Sequence, residues 1–357
     1  MFELFVIGGI ILVSVILVML YRIGNLAGVI KGKPQEKPDS TLNKINAAMM
    51  LVFMVVCGGI MFWYSYTRFD LYNLPVASEH GVEIDKLFWI TMVITGFVFV
   101  LTSILLFWFS YRYQYRADAK ATYFPDNTKL EIIWTVVPAI VLAGLIFSGL
   151  KVWNDITGPA PEDAEVVEIM GYQFAWKARY PGNDNNLGKY DYRLIDLDNE
   201  FGMDLSDRNG HDDFIPREIH LPKGKPVLFK IRARDVLHSV FAPHFRLKMD
   251  AVPGMPTKFW FVPTKSTEDM RAETGNPEFD YEIACTEICG KGHFTMRMLI
   301  VVDEPAEYEK WKREQASWLS KNPDYLSRIP EELRDLAMIS AGIEKETISD
   351  WAIWPAR

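Results

Sequence analysis

Cys285-Thr286-Glu287-Ile288-Cys289-Gly290-Lys291-Gly292-His293-Phe294-Thr295-Met296 places two thiols, an imidazole and a thioether in one short stretch. Thiolate and thioether are soft donors, and imidazole suits copper. A second stretch, Asp235-Val236-Leu237-His238-Ser239, can supply another imidazole from a neighbouring strand end. With the two sulfurs of Cys285 and Cys289 each bridging two copper ions, His238 and His293 would bind one ion each. Met296 would be a weak axial ligand, and the Glu287 backbone carbonyl would give the other ion its axial oxygen. Two bridged ions share one unpaired electron, so such a site carries single electrons. Other uses of these residues exist. Cys285 and Cys289 could form a disulfide in an oxidising compartment, which leaves both histidines and Met296 without a role. Two Cys and two His could hold a structural zinc, which has no use for Met296. A mononuclear blue-copper site takes one cysteine rather than two.

The residues around the loop predict the scaffold that holds it. Tyr281, Ile283 and Cys285 share one face of a run that leads into it, and Met298, Ile300 and Val302 share a face of the run that leaves it. Val227, Phe229 and Ile231 alternate with Leu228, Lys230 and Arg232, and Phe259 and Phe261 flank Trp260. Val166-Val167-Glu168-Ile169-Met170, continuing into Gly171-Tyr172-Gln173-Phe174-Ala175-Trp176, is β-branched and aromatic, as strands are. Pro222-Lys223-Gly224 and Pro253-Gly254 punctuate these runs. Short strands between turn signals predict a β-sandwich or barrel.

The first 152 residues read differently. Four runs free of charged residues, Leu4–Tyr21, Ala47–Tyr64, Leu87–Phe109 and Ile132–Leu150, are each close to the ~20 residues a membrane-spanning helix needs. The first lacks a basic n-region and a small-residue cleavage site, so it reads as a retained helix rather than a signal peptide. Basic residues gather in two loops: Arg22, Lys31, Lys33, Lys37 and Lys44, then Arg112, Arg116, Lys120 and Lys129. The loop between them is acidic on balance. Positive loops stay cytoplasmic, so everything after the fourth helix is expected outside the cytoplasm. Trp134 fits an interfacial anchor, Pro138 should kink its helix, and Glu131 reads as a solvated flanking carboxylate.

Two segments are harder to read. Residues 184–213 carry nine acids against three bases with little strand pattern. A solvated insertion is one reading, and an anionic patch that steers a basic partner is the other. After Val302, Tyr308, Trp311, Gln315, Trp318 and Leu319 follow helical spacing. That tail ends in Trp351 and Trp354, and it is expected to pack on the sandwich or on a neighbouring subunit. A formal net charge of −8 argues against nucleic acid as a partner. No Cys-x-x-Cys-His occurs, so no c-type haem is attached to this chain. His80, His211, His220 and His244 lack the company of other donors and read as surface or structural.

From about Leu87 to Val302 the chain resembles subunit II of the haem–copper cytochrome c oxidases. The motifs are Leu130-Glu131-x-x-Trp134-Thr135-x-x-Pro138, Gly171-x-Gln173-x-x-Trp176, Val236-Leu237-His238-Ser239, Lys248-x-Asp250-Ala251-x-Pro253-Gly254 and the cysteine loop. The resemblance implies two transmembrane α-helices and an all-β cupredoxin-like sandwich; this chain departs from it by two extra N-terminal helices, making four, by the acidic insertion 184–213 and by a short α-helical C-terminal tail. The expected divisions are 1–66 for two additional helices, 67–152 for the family's helix hairpin, 153–303 for the β domain and 304–357 for the extension. It implies a binuclear copper centre, CuA, that takes electrons from a c-type cytochrome, or from a haem c subunit of a larger assembly. CuA passes them to the a-type haem of subunit I, in a bacterial cytoplasmic membrane with the β domain outside. By position, His238, Cys285, Glu287 through its carbonyl, Cys289, His293 and Met296 match the copper ligands. The Glu287 side chain would look toward a magnesium ion at the subunit I interface. Glu131 matches a carboxylate at the mouth of a proton-uptake path, and Asp235 matches an acidic residue of cytochrome c docking. Lys248 and Asp250 match polar residues near a proton or water exit. The family usually has Trp after the Gln of Gly-x-Gln, where electrons arrive. Here the residue is Phe174, with Trp176 as a less exposed candidate. Rival readings are a quinol oxidase subunit, which usually lacks the copper ligands, the CuA domain of another terminal reductase, and a membrane-anchored zinc protein.

Overall fold

The computed structural model describes residues 2–30, 40–116 and 118–343. Lys31, Lys33, Lys37, Trp351 and Trp354 lie outside the described residues. The chain divides into two compact units, Met1–Thr67 with Gly96–Asp126, and Arg68–Thr95 with Asn127–Arg357.

The helical elements begin with α1 (Phe2–Ile30), α2 (Ser40–Thr67), a single turn α3 (Phe69–Tyr72), α4 (Glu79–Arg112) and α5 (Thr128–Thr157). Among the described residues α2, α4 and α5 are long and apolar enough to cross a membrane. Helix α1 spans 29 residues, with a shorter described apolar stretch at Ile11–Gly24. The hydroxyls inside these apolar helices do not break them. Thr91, Thr95, Thr102, Ser110 and Ser148 each donate to the carbonyl four residues back, so these five hydroxyls are satisfied within their own helices. Helix α5 runs on through Pro138. Asn127 caps it, accepting from the Leu130 N–H at 3.2 Å, and the Glu131 carboxylate accepts from the Asn127 N–H at 3.4 Å.

Among the described residues nine strands follow: β1 (Glu165–Tyr172), β2 (Ala175–Arg179), β3 (Ile219–Pro222), β4 (Val227–Ala233), β5 (His238–Ala242), β6 (Leu247–Ala251), β7 (Thr257–Phe261), β8 (Tyr281–Cys285) and β9 (Arg297–Asp303). They form two sheets, ordered β2-β1-β4-β7 and β3-β9-β8-β5-β6. Strands β1 and β4 run parallel, as do β3 and β9, and the other pairs are antiparallel. Val167, Ile169, Phe229, Ile231 and Phe259 from the first sheet and Val240, Ile283, Ile300 and Val302 from the second are fully or almost fully buried in one core. Burying an aliphatic or aromatic side chain this way contributes roughly 1.5–3 kcal/mol, which is why the alternating pattern decides the fold. The unit also includes the ends of two helices. Arg246 grips Asp85 at 2.6 Å, Ser78 donates to the Phe245 carbonyl at 2.8 Å, and Trp260 donates to the Asp155 carbonyl at 2.7 Å.

The sandwich departs from the sequence reading in three places. The run from Val166 to Trp176 is a tight hairpin, not one strand: Tyr172 pairs with Ala175 across the two-residue turn Gln173-Phe174. Arg232, expected on an outer face, is buried at 5 % exposure. Its guanidinium and that of Arg179 both grip the buried Glu168, at 2.6 and 2.5 Å. The third departure is the acidic segment 184–213. Phe201, Met203 and Leu205 lie in a second hydrophobic core with Trp318, Leu319, Tyr325 and Ile329 of the tail. Many of its acids are spent on local structure. Asp191 and Asp207 cap short 3-10 turns, Asp196 holds Tyr325 and Arg328, and Glu200 pairs with Lys177 and Arg234. Burial pushes the Asp213 carboxyl up to about 8, against the pull of Arg179 and the Gly188 N–H.

The remaining helices close the unit. Helix α6 (Thr267–Thr274) starts at a Ser266–Asp269 capping box and stops at Gly275, whose φ of +65° suits a residue without Cβ. Helices α7 (Pro305–Arg313), α8 (Trp318–Lys321) and α9 (Glu331–Ala341) make the tail. It packs on its own chain: Trp311 stacks on His220 at 4.2 Å and meets Tyr180 and Phe214 edge-on.

Candidate metal centre

Strand β8 delivers Cys285 to one end of the second sheet, and β5, its neighbour, begins with His238. The pairing that puts Val240 opposite Cys285 therefore brings the distant imidazole beside the thiol. The loop then turns back. Thr286 N–H donates to the Ser239 carbonyl, Cys285 N–H to the Met296 carbonyl, and His293 N–H to the Gly290 carbonyl. The His238, Cys285 and Cys289 donor atoms lie within 4.8 Å of one another, and all three residues are buried. Cys285 Sγ is 3.9 Å from His238 Nδ1 and 3.3 Å from the Glu287 carbonyl oxygen. Cys289 Sγ is 3.6 Å from His293 Nδ1 and 3.3 Å from Met296 Sδ. The cysteines are free thiols. All six groups singled out in the sequence thus converge, the sixth being a peptide oxygen.

The charge state of the pocket fits a cation. Burial, and then the neighbouring Cys285, push the Cys289 thiol up to about 11. A crowded, buried thiol that resists ionisation alone is stabilised as a thiolate once a soft cation sits beside it. Asp235 orients the nearer imidazole: its Oδ1 is 2.9 Å from His238 Nε2. A carboxylate only accepts, so the proton sits on Nε2 and Nδ1 is left with its lone pair toward the sulfurs. Burial alone would raise the Asp235 carboxyl. Hydrogen bonds from the Gln173 N–H, His238 and the Val236 N–H outweigh it and hold the group below its ordinary value.

The other predicted residues fall around this centre. Phe174 is 37 % exposed, and its ring covers Gly290 and Gly292. Trp176 is buried, edge-on to the His238 ring at 5.8 Å. Lys248 and Asp250 lie exposed on β6. Glu131 is at the start of α5, remote in sequence and engaged with the helix cap. His211 is fully buried and bonded to the Leu205 carbonyl, and His244 to the Pro75 carbonyl, which makes both structural. Sequence reasoning missed the carboxylate–imidazole contact of Asp235, and it quoted Gln173 without giving it a task. The spacing Asp235-x-x-His238, at a strand's start, was the signal for the first.

A two-sheet sandwich carrying a soft donor cluster at one end is a cupredoxin-like domain, here attached to apolar helices. Residues 66–152 match the model of the cytochrome c oxidase subunit II transmembrane domain, and residues 165–304 that of its periplasmic domain. The alternative cytochrome c oxidase subunit 2 of Bradyrhizobium diazoefficiens is 34 % identical over 280 residues, covering 76 % of this chain and 93 % of that protein. Cytochrome c oxidase subunit 2 of Thermostichus vulcanus is 25 % identical over 329 residues, covering 76 % and 85 %. Among solved structures, the periplasmic domain of subunit II of cytochrome oxidase (CoxB) of Bradyrhizobium japonicum matches with 26 % identity and a TM-score of 0.30, covering 43 % of this chain and 94 % of that one. The chain belongs to the cytochrome c oxidase subunit II family. It is a membrane protein with a periplasmic-type β domain.

Proposed function

We propose that this chain is the electron-relay subunit of a respiratory cytochrome c oxidase. His238, Cys285, Cys289, His293, Met296 and the Glu287 carbonyl are its copper ligands. The observation that carries the reading is the convergence of two free thiols, within 4.8 Å of each other, with two Nδ1 atoms and a thioether, each of these three within 3.9 Å of a thiol sulfur. When bound, a copper pair supplies one-electron transfer with little change in bond length. The chain's own residues bury both sulfurs and the thioether, hold the His238 lone pair inward and fix the loop by its peptide hydrogen bonds. The acceptor is subunit I of the same complex, and the donor is a c-type cytochrome or a haem c subunit of a larger assembly. Phe174, at the surface over the loop, is the point of electron arrival we assign, and Asp235 lies on the same rim. Trp176 is the second step inward, against His238. The complex lies in a bacterial cytoplasmic membrane, with the β domain on the outer side. Residues 1–66 are additional to the family's helix hairpin at 67–152, the β domain spans 153–303, and 304–357 is an extension. Glu131 is a candidate for proton uptake that also serves as a helix cap. A magnesium ion at Glu287 would need its other ligands from another subunit. Among the described residues, the only gathered set of such side chains is His238, Cys285 and Cys289.

The Met296 assignment is tested by Met296→Leu in the full chain. The bridging sulfurs and imidazoles remain, so both coppers are expected to stay while the midpoint potential shifts. Potentiometry with metal analysis checks this, and an unchanged potential removes Met296 from the ligand set.

A further inference from the structure

We infer that Gln173 is a positioning residue for the metal centre: from the β1–β2 turn it ties the cysteine loop to the His238 strand. This rests on the copper reading above. The Gln173 side-chain amide donates to the Cys289 carbonyl at 2.5 Å. Its backbone N–H donates to Asp235 Oδ2 at 2.8 Å. The other oxygen of that carboxylate accepts from His238 Nε2 at 2.9 Å and from the Val236 N–H at 2.7 Å. One residue therefore holds the peptide of a thiol on one side and, through a carboxylate, the ring of an imidazole on the other. Asp235 lies in the turn before β5 and Cys289 in the loop between β8 and β9, so Gln173 adds, from the other sheet, a tie between them beyond the β5–β8 pairing and the Thr286–Ser239 hydrogen bond.

Phe174, the next residue, closes the same clasp by packing. A Cβ on Gly290 would lie 2.9 Å from its ring and 3.0 Å from Gln173 Nε2, and a Cβ on Gly292 would lie 2.5 Å from the ring. The two glycines flanking Lys291 let the turn sit directly on the loop. Gly290 also has φ +136°, which a side chain would strain. Any drift of the Cys289 peptide thus breaks a hydrogen bond or drives the loop into an aromatic ring. Gln173 touches no donor atom itself. It acts on the metal through the Cys289 peptide, and such outer partners orient ligands and tune the bound metal.

The test uses the full chain in detergent, loaded with copper, with Gln173→Leu and Gln173→Lys beside the wild type. Leucine keeps the backbone bond to Asp235 but removes the amide donor. Its copper is expected to pass to a chelator about 10–100-fold more readily, with an altered copper hyperfine pattern and a shifted midpoint potential. Lysine restores a donor of similar reach and is expected to recover retention in part. A leucine variant with wild-type retention, spectrum and potential overturns the proposal. So does one whose only change is a raised KM for the electron donor, because that marks a docking residue. A wild-type chain that takes up no copper pair overturns the underlying copper reading instead, and is seen before any variant is made.

Discussion

Cys289→Ser is expected to abolish the binuclear copper signature and leave no more than one copper per chain. Cys289 is the sulfur that meets both His293 Nδ1 and Met296 Sδ, while Cys285 faces His238 and the Glu287 carbonyl. Without it, His293 and Met296 lose the atom that joins them to the other half of the site. A serine hydroxyl is a hard oxygen donor and does not replace a bridging thiolate. The loss of electron transfer through the chain is expected to exceed the about 10–100-fold that changes in a metal's outer partners cost. Electron paramagnetic resonance and metal analysis of the variant check it. A variant that kept the wild-type spectrum would show that Cys289 does not bridge.

Glu168→Gln is expected to destabilise the β domain by about 3–5 kcal/mol, as removal of one partner from a buried ionic group does. Glu168 is 4 % exposed and is gripped by two guanidiniums that are themselves buried. Arginine does not shed its proton, so both charges would remain without their shared counter-ion. The remaining carboxylate near them is Asp213, whose Oδ2 lies 3.0 Å from Arg179 Nη1. Burial, and among its neighbours the Glu168 charge, hold that group up to about 8 in the wild type, against the pull of Arg179. Removing the Glu168 charge lowers it in the variant, so there is a pH window in which Asp213 is ionised in the variant and still protonated in the wild type. Raising the pH across that window lowers the stability of the wild type and not that of the variant, so the penalty of Glu168→Gln is expected to be larger at pH 6 than at pH 9. Denaturant unfolding of variant and wild type at both values measures it, and an equal or reversed difference would contradict this charge assignment.

Much of this was legible in the chain. The apolar runs mark the long helices because length and absence of charge decide what can cross a bilayer. The alternation at Val227, Phe229 and Ile231 marks a core strand because only one face is buried. The gathering of the loop's donor residues could be read because their chemistry is local to one stretch, and that of His238 because few residue types suit a soft site. What was not legible depends on tertiary contacts. No Gly, Asn or Pro announces the turn at Gln173-Phe174, which is held by the Asp235 carboxylate and by the two loop glycines. Arg232 sits where the alternation asked for an outer-face residue, and only the folded insertion, with Phe201 accepting from its guanidinium and Glu168 beneath it, makes it an inner one. The aspartates of 184–213 looked like solvated charge because capping and turn bonds leave no periodic trace. The apolar residues between them, Phe201, Met203 and Leu205, had no visible partner until the tail's Trp318 and Leu319 were placed against them.

The most direct measurement is the metal content and paramagnetic resonance of the wild-type chain purified intact in mild detergent. Two copper atoms per chain, with one unpaired electron spread over both nuclei, are expected. One zinc per chain, or a bond between Cys285 and Cys289 with no metal at all, would contradict the assignment of this cluster as an electron carrier.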